Sequence, residues 1–367
     1  MNEMRTPNEY ARMAIVAMMR TCRGEDLPPK GHFHYHQGVF LSGVYKNYLI
    51  CQEEAYYHYI KAWVDAVLNE TGTIRNLDSV SLDDIQPGIL LFPLYERTGD
   101  EKYKKALDYL MGILNTYPKN SEGGFWHKGI FANEMWLDGL YMAGPFCTEY
   151  ARKFNYPKLI DEAVKQALLM EEKTRDDKTG LWYHAYDCER KAKWADKITG
   201  CSPEFWGRSI GWVPVAVLNE LDDISETHSH YQAMAALVKN LLEAVCRFQG
   251  ADGRWYQVVD KIGQAGNWPE NSCSSLYVAA LCKAVRKGIL GKKYLKIARK
   301  GYEGVIRSLQ WKDDNLLLGE VCIGTGVGDY QYYCERPVST NDLHGMGAFL
   351  LMCAEVAEVD FQTPADH

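Results

Sequence analysis

The sequence has no cluster of lysine and arginine and no long apolar run. Its 367 residues include 41 basic and 48 acidic side chains, which give a formal net charge of −7. Nucleic acids and anionic membranes both require a concentrated positive field, so neither is expected as a partner. The longest apolar stretches, such as Ile89–Leu94, are far shorter than the ~20 residues that cross a bilayer.

Several common motifs are also missing. The 11 cysteines form no C-x-x-C pair, which argues against a disulfide framework and a zinc site. The first 20 residues lack the apolar core of a signal peptide, so we expect a cytoplasmic protein with reduced thiols. Without a G-x-S-x-G, a Walker A motif or a dinucleotide fingerprint, no metal and no cofactor is expected. No linker rich in Pro, Gly or Ser is present, so residues 1–367 are predicted to form one domain.

Helical periodicity dominates the chain, and no run alternates as a β-strand does. Amphipathic segments follow segments that carry few charges, and five of the connections between them are short and polar. This pattern predicts an all-α fold, an (α/α)6 barrel of six helical hairpins with buried inner helices. The predicted helices cover residues 8–21, 38–49, 54–70, 82–97, 101–116, 133–153, 157–174, 207–222, 230–249, 271–287, 292–309 and 341–357.

A weak repeat marks three of the long loops. Gly123–His127, Gly180–His184 and Gly253–Gln257 each combine a glycine with aromatic residues before an inner helix. Recurrence at about 55 to 75 residues indicates a repeated supersecondary unit, so the three loops are expected at the same mouth of the barrel. His127, Lys128 and His184 would offer hydrogen-bond donors there, although an isolated loop histidine is usually only solvated.

Asp138 lies within the apolar segment Met135–Tyr141, where an ionised carboxylate is costly to bury. Burial is expected to raise its pKa toward neutrality, as a general acid requires. The alternative is a structural aspartate that accepts a hydrogen bond from backbone or Trp N–H. Asp83 and Asp84 are expected at the start of another inner helix, where they either join the site or stabilise the helix dipole.

The segment Ser202–Trp212 combines two tryptophans, two glycines and one arginine. Trp206 and Trp212 could stack on a sugar ring, and Arg208 could hold a carboxylate, which together predict a sugar-acid site. A core tryptophan cluster with a surface arginine is the alternative. His32, His34 and His36 alternate along an extended segment, which favours a ligand-facing stretch over a metal site. His344 is expected at the same mouth.

Three segments in combination resemble the unsaturated rhamnogalacturonyl hydrolases of glycoside hydrolase family 105: Met135–Ala143, Phe205–Trp212 and Asn341–Ala348. The resemblance extends over nearly the whole chain and implies an (α/α)6 barrel. It implies that Asp138 is the general acid/base and that Asp83 assists it, with Asp84 an open alternative. The substrate-binding residues expected around them are His36, Asp84, His127, Lys128, Trp136, His184, Trp206, Arg208, Trp212 and His344.

The implied reaction is hydration of the C4=C5 double bond of a Δ4,5-unsaturated galacturonyl residue. The substrate would be a small unsaturated oligosaccharide from pectin-type rhamnogalacturonan, and the enzyme a monomer or homodimer. Three alternatives remain open. One is a sugar 2-epimerase on a similar barrel that uses His184 and His344, another is an unsaturated glucuronyl hydrolase for a different polysaccharide, and the third is a non-catalytic sugar-binding protein.

Overall fold

A computed structural model describes residues 5–361 of the chain. Most of these residues are helical. The α-helices are α1 Pro7–Thr21, α2 Tyr35–Cys51, α3 Glu54–Val67, α4 Leu91–Thr98, α5 Glu101–Asn115, α6 Asp138–Phe154, α7 Lys158–Thr174, α8 Gly207–Asp223, α9 Tyr231–Cys246, α10 Asn271–Arg286, α11 Leu295–Ser308, α12 Tyr330–Cys334 and α13 Leu343–Ala357. The short strands are β1 Glu134–Trp136, β2 Ala185–Asp187, β3 Gln310–Lys312, β4 Asn315–Leu317, β5 Val321–Cys322 and β6 Val338–Ser339.

Six inner helices form a closed ring. Helices α2, α4, α6, α8, α10 and α13 each pack on the next, with the 3-10 turn Gln86–Leu90 completing α4, and α13 closes the ring against α2. Helices α3, α5, α7, α9 and α11 pack outside their preceding neighbours, and α1 packs outside α13. The predicted (α/α)6 barrel is therefore confirmed. Its sixth pair joins the first and last long helices of the described chain.

Burial separates the two rings. All but three of the 17 residues of α8 are buried, whereas α11 buries six of its 14 residues along one stripe. A helix that is apolar nearly all round must be enclosed by others, while an amphipathic helix covers the core with one face. None of the helices within residues 5–361 is long and apolar enough to span a membrane.

Local signals set several helix ends. Gly99 ends α4 in the left-handed region, with φ of 65°, and the Asp100 side chain accepts a hydrogen bond from Lys102 N at the start of α5. Thr6 and Glu9 form a reciprocal capping box around the start of α1. These contacts satisfy amide groups that have no partner within the helix.

Two predicted inner helices begin later than the sequence pattern indicates. The predicted helix 82–97 starts as 3-10 turns, because Pro87 lacks the amide hydrogen that a continuous α-helix requires. The predicted helix 133–153 begins at Asp138, since residues Glu134–Trp136 form β1 and pair with β2. The partner strand of β1, β2, lies about fifty residues further along the chain, so the local sequence pattern gave no indication of a strand.

The aromatic repeat corresponds to a recurring tight turn. Gly123, Gly180 and Gly253 all have positive φ, between 72° and 96°, a region that glycine enters without steric cost. The turns are closed by similar backbone bonds, such as Asn120 N to Gly124 O at 2.8 Å and Gly250 N to Arg254 O at 2.8 Å. The repeat therefore has a common backbone geometry.

Glu220 of α8 is a buried carboxyl in the packed core. Its Oε2 atom has no hydrogen-bond partner among residues 5–361, and it faces α6 at Gly144, where a Cβ atom would lie 2.0 Å from Glu220 Oε1. Burial raises the pKa of Glu220 to about 8, and the charge of Asp223 adds to the rise. The folded protein consequently holds a proton that the unfolded chain releases above about pH 4 to 5.

We expect Glu220→Gln to remove a pH-dependent loss of stability. Below the unfolded pKa both states bind the proton, and as pH rises toward 8 the wild type loses up to about 1.4 kcal/mol per pH unit relative to the variant. Urea unfolding of both proteins between about pH 5 and 8 measures the difference. Glu172→Gln, at an exposed carboxylate of α7, is the matched control. Parallel stability curves for Glu220→Gln and wild type would contradict the expectation.

Candidate active site

One end of the ring holds a cavity of about 310 Å³ at the first turns of inner helices. Asp83 and Asp138, the two predicted catalytic acids, both line it. Of the predicted binding residues, His36, His127, Lys128 and Trp136 also line it. The remaining lining residues are His34, Tyr35, Ile130, Phe131, Met142, Gly324, Thr325 and Gly326.

The β1–β2 ladder positions Asp138 beside His184. Trp136 at the end of β1 pairs with Ala185 at the start of β2, and Leu137 N donates to His184 O at 3.0 Å. Asp138 follows as the first residue of α6, so its side chain meets the residue that precedes β2. His184 Nε2 lies 3.0 Å from Asp138 Oδ2.

A chain of hydrogen bonds defines the tautomer of His184. Tyr333 Oη lies 2.7 Å from His184 Nδ1 and accepts a bond from Gly328 N at 3.2 Å. Burial raises the pKa of Tyr333 well above its usual value, so the phenol keeps its proton and donates to Nδ1. Because a carboxylate accepts hydrogen bonds, the imidazole carries a proton on Nε2 and donates this N–H to Asp138.

The expected rise in the pKa of Asp138 is wrong in its net direction. Burial does raise this pKa, but the hydrogen bond and the electrostatic interaction with His184, together with the electrostatic interactions with His127 and Arg208, hold it below its usual value. Asp138 is therefore a carboxylate at neutral pH in the free enzyme. Its side chain remains 13% exposed and faces the cavity.

Asp83 is surrounded by basic side chains. Leu82 N donates to His127 O at 3.1 Å, which brings the loop of His127 and Lys128 against the turn that carries Asp83. Lys128 Nζ lies 2.5 Å from Asp83 Oδ2, while His34 and His127 approach within 3.6 and 3.7 Å. Burial raises the pKa of Asp83, but His127 and Lys128 outweigh it and lower this pKa, so the pair stays ionised.

The Asp84 side chain makes different contacts from those of its neighbour Asp83. Its Oδ2 accepts a hydrogen bond from Asp78 N at 2.8 Å, and it does not line the cavity. Burial raises the pKa of Asp84 to about 7. Of the two adjacent acids that the sequence left open, Asp83 is the one that the fold brings to Asp138.

Trp136 forms a flat aromatic wall of the cavity. Its ring stacks on His127 at 4.3 Å and on Phe131 at 4.7 Å between centroids, with interplanar angles of 15° and 28°. Trp136 Nε1 donates to Glu134 Oε2 at 2.9 Å. These contacts hold the indole in one orientation.

The cluster around Trp206 lies behind the cavity wall, contrary to the predicted sugar contact. Trp206 is buried against Tyr333 and His184, and Trp212 is buried against Tyr141. Arg208 is also buried. Its guanidinium donates to the carbonyl oxygens of Cys322 at 2.5 Å and Ile323 at 2.8 Å.

The last two predicted residues differ in exposure. His36 lines the cavity, whereas His344 is fully buried and lies 2.9 Å from Cys322 O through Nε2. His184 is likewise fully buried and reaches the cavity only through Asp138.

Within the part of the chain that the structure describes, one group of side chains could hold a metal ion: His36, Asp342 and His344.

Some functional positions carry no clear signal in the sequence. Gly324 to Gly326 line the cavity, but their glycine-rich run lacks the strand–helix setting of a nucleotide-binding loop. Tyr333 lies in an aromatic segment, and nothing in that segment distinguishes it from the neighbouring tyrosines. Asp342 lies in a motif in which the histidine and the glycines, and not the aspartate, suggested a function. The glycine run is the one local signal that could indicate a ligand-facing loop.

Comparison with known proteins identifies relatives over most of the chain. The sequence profile "Glycosyl Hydrolase Family 88" matches residues 10–359. The chain is 26% identical over 326 residues to the "Unsaturated rhamnogalacturonyl hydrolase YesR" of Bacillus subtilis (strain 168), covering 87% of this chain and 88% of that protein. It superposes with a TM-score of 0.91 and 32% identity on a family 105 glycoside hydrolase of C. acetobutylicum ATCC 824, covering 95% and 99% of the two chains.

A more distant structure shares the fold. An "unsaturated glucuronyl hydrolase specific for heparin" superposes with a TM-score of 0.73 at 14% identity, covering 97% of this chain and 99% of that chain.

Replacement of Arg208 is expected to act on stability. Arg208→Ala leaves the buried Cys322 and Ile323 carbonyls without their donor and removes the cation 3.9 Å from buried Glu270, at a cost of about 2–4 kcal/mol. Urea unfolding measures this free energy. Arg299→Ala, which breaks an exposed pair on α11, should cost less than about 1 kcal/mol. Equal unfolding midpoints for the two variants would contradict a structural role.

Proposed function

Because the chain belongs to the glycoside hydrolases of families 88 and 105, we propose that it removes a Δ4,5-unsaturated galacturonyl residue from rhamnogalacturonan oligosaccharides. The chain is a glycosidase, and polysaccharide lyases generate such unsaturated ends. The activity for which the relative from Bacillus subtilis is named supports rhamnogalacturonan as the source of the substrate.

The observation that carries the proposal is the position of Asp138. Its carboxylate projects into an aromatic-walled cavity, is oriented by the imidazole of His184, and shares the cavity with a second acid that is already neutralised by Lys128. A single carboxyl that can exchange protons, beside an acid that stays ionised, suits hydration of an enol ether. It does not require the carboxyl pair of a retaining or inverting glycosidase.

The reaction proceeds through protonation of the double bond. Protonated Asp138 transfers its proton to C4, and the C4=C5 electron pair forms the new C–H bond while C5 acquires oxocarbenium character. Water then adds at C5 and gives its proton to the Asp138 carboxylate, which restores the acid. The resulting hemiketal opens and rearranges, and the glycosidic bond to the remaining oligosaccharide breaks.

The negative charge of the substrate favours protonation of Asp138, which the first step requires. A uronate carboxylate brings a negative charge into the cavity, and a nearby like charge raises the pKa of Asp138 above its value in the free enzyme. Substrate binding therefore favours the protonated form that the first step needs.

Lys128 is the proposed partner of the uronate carboxylate. It is the one lysine or arginine among the described residues that line the cavity, and its side chain is 25% exposed. Asp83 holds Lys128 in place and keeps it charged. Arg208, which the sequence suggested for this role, has its donors directed at two backbone carbonyls.

Trp136 is the proposed aromatic contact for the sugar ring. Its orientation is fixed by His127 and Phe131, and it lines the cavity next to Asp138. Because His127 and Phe131 stack on the ring and only 6% of Trp136 is exposed, the contact with the sugar is made by the part of the indole that lines the cavity. This role replaces the one that sequence reasoning gave to Trp206 and Trp212.

The epimerase alternative has weaker support from the geometry. It requires His184 and His344 as an acid and a base on a common substrate. In the described structure neither lines the cavity, and His344 donates to a backbone carbonyl from a fully buried position.

Asp138→Asn is expected to abolish turnover without unfolding the protein. Loss of a general acid/base costs about 10²- to 10⁴-fold in rate, while the near-isosteric change should alter stability by less than about 2 kcal/mol. Loss of the ultraviolet absorbance of the enol ether, followed on lyase-digested rhamnogalacturonan, measures the rate.

The matched control is Asp177→Asn, at a carboxylate that is 90% exposed, and it should keep wild-type rates. Lyase digests of glucuronate-containing polysaccharides, assayed in parallel, test the galacturonyl specificity. Full activity of Asp138→Asn would contradict a catalytic role for this residue. Activity of the wild type on glucuronyl substrates alone would contradict the proposed galacturonyl substrate.

The pH profiles of kcat/KM and kcat should differ. Asp138 must be protonated, and its pKa is lowered in the free enzyme, so kcat/KM should fall about tenfold per pH unit across the neutral range. The fall in kcat should begin at higher pH because the bound uronate raises the same pKa. Initial rates between about pH 4 and 8 measure both profiles. A kcat/KM that rises with pH would contradict Asp138 as the proton donor.

A further inference from the structure

Three potential metal ligands from opposite ends of the chain meet beside the cavity. His36 lies in the first turn of α2, and Asp342 and His344 lie at the start of α13, its neighbour in the ring. One nitrogen or oxygen of each side chain lies within 4.8 Å of the other two. The His36 and His344 rings are 5.1 Å apart between centroids.

The hydrogen bond of His344 determines which nitrogen is free. Its Nε2 lies 2.9 Å from Cys322 O, and because a carbonyl can only accept, Nε2 carries the proton. Nε2 therefore already has its partner, and Nδ1 is the ring nitrogen left to bind a further group. His344 is fully buried, so this nitrogen is shielded from water.

That nitrogen faces a carboxylate. His344 Nδ1 lies 2.8 Å from Asp342 Oδ1, but the contact lacks hydrogen-bond geometry, and Nδ1 has no hydrogen-bond partner among the described residues. A carboxylate oxygen is held this close to an imidazole nitrogen either by a proton on that nitrogen or by a metal ion that both atoms bind. His36 completes the group from the cavity side, because it lines the cavity.

We propose that His36, Asp342 and His344 form a binding site for a divalent transition-metal ion of the zinc class. Two imidazole nitrogens and one carboxylate oxygen are a common ligand set for Zn²⁺, with a fourth position left for water or a ligand oxygen. Ligand atoms around zinc lie about 3–3.5 Å apart, so the Asp342 and His344 atoms, at 2.8 Å, need to separate slightly, and a pair near the 4.8 Å limit needs to approach by about 1 Å.

The surroundings of the group fit such a site. The Cys322 carbonyl accepts from His344 Nε2, which is the outer contact that fixes the tautomer of a metal-bound histidine. Arg208 donates to the same carbonyl, and its positive charge is partly balanced by Glu270 at 3.9 Å. No local pattern in the sequence indicates the site, because His36 lies about three hundred residues from Asp342 and His344.

Metal titration of the apoprotein tests the site without any need for turnover. The chain is treated with a chelator, dialysed, and titrated with Zn²⁺ by calorimetry, where one ion per chain is expected. Co²⁺ replaces Zn²⁺ as a spectroscopic probe. It should show visible d–d absorption without the near-ultraviolet charge-transfer band that cysteine ligands would produce.

Two ligand variants and one matched histidine locate the ion. Asp342→Asn and His36→Gln should each weaken Zn²⁺ binding by at least about tenfold. His32→Gln, at an exposed histidine of the same segment, should bind Zn²⁺ as the wild type does. Thermal melting without metal shows whether each variant is folded, and His36→Gln provides the test if Asp342→Asn is not.

Two results would overturn the proposal. One is the absence of stoichiometric binding to the wild type, which would make the contact of His344 with Asp342 an imidazolium–carboxylate ion pair. The other is equal binding by wild type and all three variants, which would place the ion on other side chains. Failure of the proposed glycosidase activity would leave both readouts unchanged, because they measure metal binding alone.

Discussion

A buried carboxylate needs a hydrogen-bond donor, and the bond from His184 to Asp138 meets this requirement. The bond depends on the β1–β2 ladder, which aligns the residue before α6 with the residue before β2. It depends also on Tyr333, whose phenol donates to the other nitrogen of His184. Without either contact the imidazole could rotate or change tautomer, and the carboxylate would lose its orientation.

The same bond sets the charge of the free site. A donor to the carboxylate stabilises its ionised form, and the position of Asp138 at the N-terminus of α6 acts in the same direction. Lys128 and Asp83 form a second, separately neutralised pair in the cavity. The resting site is therefore ready to accept an anionic ligand, and the charge of that ligand makes Asp138 a stronger base.

The barrel was predictable because its signals are local. Helical periodicity and polar turns such as Gly99 and Asp100 appear within short windows, and the structure shows the same ends. Asp83 and Asp138 could be selected because acids are unusual in apolar segments. The resemblance of three motifs to family 105 connected these residues to a reaction.

Other features depended on contacts between distant residues. β1 was missed because its partner is about fifty residues away, and the direction of the Asp138 pKa depends on His184, which only the folded ladder places. Trp206, Arg208 and Trp212 have the residue types of a sugar site, yet all three are buried behind the residues that line the cavity. Residue type alone does not distinguish a side chain in the wall from one behind it.

The pairing of α1 with α13 has a consequence for how the protein is made. During synthesis α1 emerges first, but the helix that covers its apolar face is the last long helix of the ring. The apolar face of α1 therefore stays uncovered by its partner until α13, more than three hundred residues further along the chain, has left the ribosome. Ring closure is thus a late, long-range event, and the loop entropy lost at that step makes assembly of the barrel slower than formation of its individual hairpins.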